Sequence, residues 1–228
     1  MITDVCILGE RVSGTCFITK LITSNTNLKL NYRFGHKHFF QDVSKLEKSK
    51  TSHILFIFIT RDVVEWLQSF MVNTYHSSEP IRSCRDFSTF IRSEWSCIHD
   101  ETSGVRAPSK LYKQEMMNER DPDTKKRFEN VIKMRTSKIV KNLELKDIVE
   151  NFTHVKYEDV RDNPELFVET MCSMFGIQRY LEFSPVDTIK GRGTGKYVRK
   201  IYPGIQEHDL EYIISNIDHD VEKKIGYM

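Results

Sequence analysis

Apolar positions along the chain follow two alternating rhythms. Residues 5–8 are a short unbroken apolar run halted by Gly9, which reads as a buried strand. Beyond a Gly/Ser/Thr loop, Phe17, Ile18, Leu21 and Ile22 recur at helical spacing. Residues 28–34 suit a second strand. Ile54–Thr60 is continuously β-branched or aromatic, as expected of a parallel strand covered on both faces. It leads directly into Val63, Val64, Trp66, Leu67, Phe70 and Met71, an apolar face of period 3.6. Phe87, Phe90, Ile91, Trp95 and Ile98 predict a further amphipathic helix. Asp121 before Pro122 predicts a helix start, continued by Phe128, Val131, Ile132 and Ile139. Residues 152–157 read as a strand, and Pro164 opens a helix through Phe167, Met171 and Met174 that Gly176 ends. Strands alternating with helices predict an α/β fold: a three-layer parallel sheet flanked by helices.

Composition narrows the picture without changing it. The 228 residues suit a single domain, and 39% apolar content is enough for a core. Residues 77–120 include a polar, irregular stretch and are expected to form a substrate or lid region. A net charge of +2 argues against general binding to nucleic acid or to a membrane. Five scattered cysteines with no CxxC pair suit reduced thiols and no zinc site. The first nine residues lack a basic, apolar leader, and no apolar run approaches the roughly 20 residues that cross a bilayer. A cytoplasmic location is the expectation.

The candidate chemistry begins at Gly9-Glu10-Arg11-Val12-Ser13-Gly14-Thr15-Cys16, between the first strand and the first helix. Glycines let the backbone approach an anion, and the N–H groups of a helix start point at it. Ser13 and Thr15 add hydroxyls and Arg11 adds charge. The spacing of Gly9 and Gly14 matches half of an ATPase phosphate loop, but Thr15 stands where its lysine belongs, which disfavours a P-loop small-molecule kinase. A plain strand-to-helix turn capped by Ser13 accounts for the same residues. The second feature is Arg61, at the C-terminal end of the 54–60 strand, where open α/β sheets bind ligands. Ser69 follows nearly two helical turns later.

Strand, G-x-R-x-SGT, helix resembles the 5′-phosphosulfate loop of the P-loop sulfotransferases, in particular a poorly characterised branch whose loop reads GERxSGTN. Val12 replaces the basic residue many members carry there, and Cys16 replaces the branch's Asn. The Arg61-to-Ser69 spacing looks like the family's 3′-phosphate site. Tyr157-Glu158-Asp159-Val160 looks like its YEDL stretch, in which a tyrosine can sit by an adenine ring. Asn130, Arg135 and Lys138 resemble the branch's N-x4-R-x2-K pattern.

Residues 188–206 form a basic, glycine-rich stretch similar to the family's late clamp loop, with Lys190-Gly191 as the matching pair and Arg192 beside them. The resemblance implies a P-loop NTPase-like sulfotransferase fold. It implies 3′-phosphoadenosine-5′-phosphosulfate (PAPS) as sulfuryl donor, held by Arg11, Val12, Ser13, Gly14, Thr15, Cys16, Phe17, Arg61, Ser69, Tyr157, Lys190, Gly191 and Arg192, without a metal. The base of this family commonly follows the second strand, where Gly35-His36-Lys37-His38 stands. His38 is the first choice, His36 the second, and Lys37 and Arg11 the electrostatic helpers. If this stretch were a strand, His36 and His38 would share one face. The acceptor, whether glycan, small molecule or peptide, is not encoded in any motif. A PAP- or PAPS-binding module without transferase activity is the alternative that Val12 raises.

Overall fold

The computed structural model describes residues 1–188 and 195–228, apart from the Lys45 side chain. In chain order its elements are β1 (Asp4–Gly9), α1 (Thr15–Asn25), β2 (Lys29–Leu30), α2 (Lys48–Thr51), β3 (Ile54–Thr60), α3 (Val63–Val72) and α4 (Phe87–Arg92). Then follow α5 (Val131–Leu143), α6 (Leu145–Ile148), β4 (Asn151–Lys156), α7 (Tyr157–Asp162), α8 (Pro164–Phe175), α9 (Glu207–Asn216) and α10 (His219–Lys224). They divide into two compact units, Met1–Asp62 with Lys141–Ile201, and Val63–Val140 with Tyr202–Met228.

The first unit is built on an all-parallel sheet flanked by helices, with strand order β2-β1-β3-β4. All seven residues of β3 are buried, which explains the unbroken apolar run. On one face, Val5, Ile7, Leu55, Ile57 and Ile59 pack with Ile18, Leu21 and Ile22 of α1, Val160 of α7, and Val168 and Met171 of α8. Cys6, Leu8, Phe56 and Phe58 alternate onto the other face and are buried as well. Pro164 opens α8 at its first turn, and Gly176, at φ 61°, closes it with an N–H donated to the Cys172 carbonyl.

In the second unit, aromatic rings carry the packing. Trp66 and Phe70 of α3 lie 5.3 Å apart, and Phe70 meets Phe90 of α4 edge-on at 5.9 Å. Arg135 of α5 forms a buried, two-pronged ion pair with Glu222 of α10, with Nη2 to Oε2 at 3.3 Å. Lys138 reaches Glu119 at 2.6 Å in an equally buried pair. Arg135 also lies against the Trp66 ring and Lys138 against Trp95, so each buried cation has a π-face as well as a carboxylate.

Three expectations about elements are corrected. Residues 28–34 contribute only the two-residue strand β2. Past it the Asn31 side chain accepts the Arg33 N–H at 3.0 Å and turns the chain. The 87–98 helix stops at Arg92, and Trp95, Cys97 and Ile98 instead form antiparallel bridges to Phe128, Ser77 and Glu115. Asp121 starts a turn, not a helix. Its carboxylate accepts the Thr124 N–H at 2.7 Å, and the helix begins at Val131, where Asn130 Oδ1 accepts the Ile132 and Lys133 N–H groups at 2.9 Å each. Among the described residues no helix is long and apolar enough to cross a membrane.

Candidate functional site

In the first unit, β1 leads through α1 to a neighbour on one side, while β3 lies on its other side. The crevice at the C-terminal ends of β1 and β3 is therefore the topological switch point of the sheet, the position where open α/β sheets take ligands. The 9–16 loop and Arg61 both emerge there.

The loop is held shut by its own groups. Ser13 donates its hydroxyl to the Glu10 carbonyl at 2.6 Å and its N–H to the same oxygen at 3.2 Å. Ser13 is thus a clasp within the loop, and the capping position of α1 falls to Gly14, at φ 98° in the left-handed region. The expectation of a Ser13 cap is corrected on that ground. The N–H groups of Gly14, Thr15, Cys16 and Phe17 donate to no protein group among the described residues, as the first turn of a helix leaves them.

Both glycines have packing reasons as well. A Cβ on Gly9 would come within 2.7 Å of the Ile59 carbonyl oxygen, and one on Gly14 would enter the Tyr157 ring. Val12 adopts φ 57°, an unusual conformation for a β-branched residue.

The turn at residues 35–41 lies against this loop. Gly9 donates its N–H to the Lys37 carbonyl at 3.1 Å, and the His38 Nδ1 lies 2.7 Å from the Gly9 carbonyl oxygen. A carbonyl only accepts, so Nδ1 carries the proton and Nε2 carries the lone pair. Burial pushes the His38 imidazole well below its ordinary pKa, with the Gly9 bond opposing and the charges of Arg11 and Lys37 adding to the depression. His38 is therefore neutral at pH 7. The Phe39 N–H donates to the His36 carbonyl at 3.0 Å, which makes this stretch a turn and not a strand continuation. His36 and His38 are nevertheless neighbours, their rings edge-to-face at 5.2 Å. Lys37 Nζ reaches Cys16 Sγ at 3.1 Å in the first turn of α1.

Arg11 is fully buried. Its Nη1 meets Glu10 Oε2 at 3.1 Å and its guanidinium lies 5.5 Å from the centre of the Phe39 ring, so its charge is already balanced within the loop. Arg61 follows directly on the C-terminal end of β3. Its Nη1 donates to the Val12 carbonyl at 3.2 Å, and its guanidinium carbon stands 4.9 Å from the centre of the Tyr157 ring. Tyr157 also meets Phe17 edge-on at 6.3 Å, and the Glu158 carboxylate next to it accepts the Asp62 N–H at 3.1 Å. The first turn of α7 thus braces the segments on either side of it.

Of the remaining candidates, Ser69 is buried on α3 of the second unit. Lys190, Gly191 and Arg192 lie outside the described residues. Asn130, Arg135 and Lys138, the residues of the N-x4-R-x2-K pattern, serve as a helix cap and as two buried ion pairs. Sequence reasoning missed Arg161. It sits on α7 with its guanidinium carbon 5.5 Å from the centre of the Tyr157 ring, in a fork-like pair with Asp162 at 2.7 and 2.8 Å. Its only signal was a position one helical turn past Tyr157.

No protein-family model matches this chain, and the comparison with curated proteins finds no match.

Proposed function

We propose that the first unit is a nucleotide-binding sulfotransferase domain of P-loop NTPase-like fold that uses PAPS as sulfuryl donor. The observation that carries this reading is the bond from Arg61 to the Val12 carbonyl. It brings an arginine at the end of β3 against a loop whose first-turn N–H groups are open, at the switch point of the sheet. The donor set suits a phosphosulfate: backbone N–H groups of Gly14, Thr15, Cys16 and Phe17, the Thr15 hydroxyl, and the Arg61 fork.

When bound, PAPS supplies an activated sulfuryl group on a phosphate leaving group. Nε2 of His38 accepts the proton of the acceptor hydroxyl or amine, because its tautomer is fixed by Gly9 and its charge is suppressed by burial. The Lys37 ammonium and the open N–H groups of α1 offset negative charge at the loop. The acceptor in this reading is a hydroxyl or an amine of a glycan, small molecule or peptide.

Titration calorimetry with PAP, followed by sulfate transfer from PAPS to a broad acceptor panel, tests the reading. Arg61→Ala is expected to weaken PAP by about 10- to 100-fold, the scale of a lost charge-assisted fork. His38→Ala is expected to abolish transfer while leaving PAP affinity within about twofold. Undiminished PAP binding by Arg61→Ala would refute the site. One observation favours a second reading, a PAP- or PAPS-binding module without transfer: Val12 brings no charge to the loop and Arg11 is already paired with Glu10. PAP binding with no transfer to any acceptor would select it.

A further inference from the structure

The Tyr157 hydroxyl ends 3.1 Å from that of Tyr197, and this pairing has no role in the site described so far. Tyr157 is 8% exposed, whereas Tyr197 is 40% exposed. A buried phenol needs a hydrogen-bond partner, so the exposed ring is held in place by the buried one. Burial first, and the Tyr197 bond next, push the Tyr157 phenol up, so it keeps its proton across the physiological range, and either hydroxyl can donate in the pair.

The same Tyr157 ring covers Gly14 and faces Arg61, so the hydroxyl bond joins Tyr197 to the centre of the anion loop. Tyr197 is flanked by Lys196, Arg199 and Lys200, all exposed. Backbone pairing of Thr188 with Lys196, and of Asp187 with Tyr197, gives this stretch a defined root. Arg199 adds, after Arg161, to the field that holds the Asp162 carboxyl low, and so lies within electrostatic reach of α7.

We propose that Tyr197 is a positioning residue: its bond to Tyr157 moors the basic 196–200 stretch beside the 9–16 loop, so that Lys196, Arg199 and Lys200 strengthen the binding of a polyphosphorylated anion. The inference rests on the nucleotide reading for the identity of that anion, but its physics requires only multiple negative charge.

The test measures binding of PAP, and separately of inorganic pyrophosphate, over a range of salt concentrations. Tyr197→Phe keeps the ring and removes the hydroxyl. It is expected to weaken PAP about 3- to 10-fold, the scale of one hydrogen bond, and to flatten the salt dependence, with a small fall in melting temperature from the buried Tyr157 hydroxyl that loses its partner. Tyr157→Phe is expected to give the same loss, and the double variant no more than either single one.

In a background carrying Lys196→Gln, Arg199→Gln and Lys200→Gln, Tyr197→Phe should have no further effect, since there is no charge left to position. An equal loss in that background would show a merely local role and overturn the proposal, as would unchanged affinity in Tyr197→Phe. Pyrophosphate binding that depends on Tyr197, with no binding of PAP, would remove the nucleotide reading and leave this inference standing. Failure of both anions to bind would end both.

Discussion

Gly14 shows how much one residue of the loop decides. Its φ of 98° disfavours any side chain, and the Tyr157 ring occupies the space a methyl group would take. Gly14→Ala is expected to destabilise the protein by about 2–4 kcal/mol, from backbone strain together with overpacking. Denaturant titration checks this, and a loss below about 1 kcal/mol would mean that the ring moves freely.

The histidines of the first unit carry a second prediction. His154 on β4 is pushed down to about 4, by burial and then by Lys156, and His38 is lowered as well. Their unfolded forms take a proton near pH 6.5, so stability is intact above that pH and falls as the medium is acidified towards 4. Each contributes up to about 1.4 kcal/mol per pH unit to the slope. His154→Phe, beside Phe58, should flatten that limb in stability measurements between pH 7 and 4.5.

At the scale of elements, the buried pair of Arg135 and Glu222 ties α5 to α10. Glu222→Ala leaves a buried guanidinium without its carboxylate and is expected to cost about 3–5 kcal/mol. Arg135→Met combined with Glu222→Leu should recover most of that loss. Thermal melts of the single and double variants decide it.

Legibility divides along the same lines. Ile54–Thr60 and Val63–Val72 were readable because burial on both faces, or on one stripe, prints directly into residue order. Trp95, Cys97 and Ile98 were misread because their spacing also fits a helix, while their actual bridges reach Phe128, Ser77 and Glu115, partners no local window contains. The C-terminal helices α9 and α10 carry mixed polar faces and left little periodic signal. Within the site, the loop, Arg61 and the His36–His38 turn stood out by residue type. The roles of Arg11 and Arg135 did not, because whether an arginine faces a ligand or a carboxylate depends on where Glu10 and Glu222 are brought by the fold.

For the molecule as a whole, the first unit is assembled from two stretches of chain separated by Val63–Val140. β3 finds β1 within the first sixty residues, but its other edge waits for β4, which begins only at Asn151. The helices α7 and α8 that roof one face come later still. On the ribosome, an apolar ribbon spanning β1 and β3 therefore emerges with only α1 to cover one face, and closure of the sheet is postponed until β4 follows. Truncation before α8 should yield an insoluble product, while the full chain refolds slowly and with a strong dependence on protein concentration.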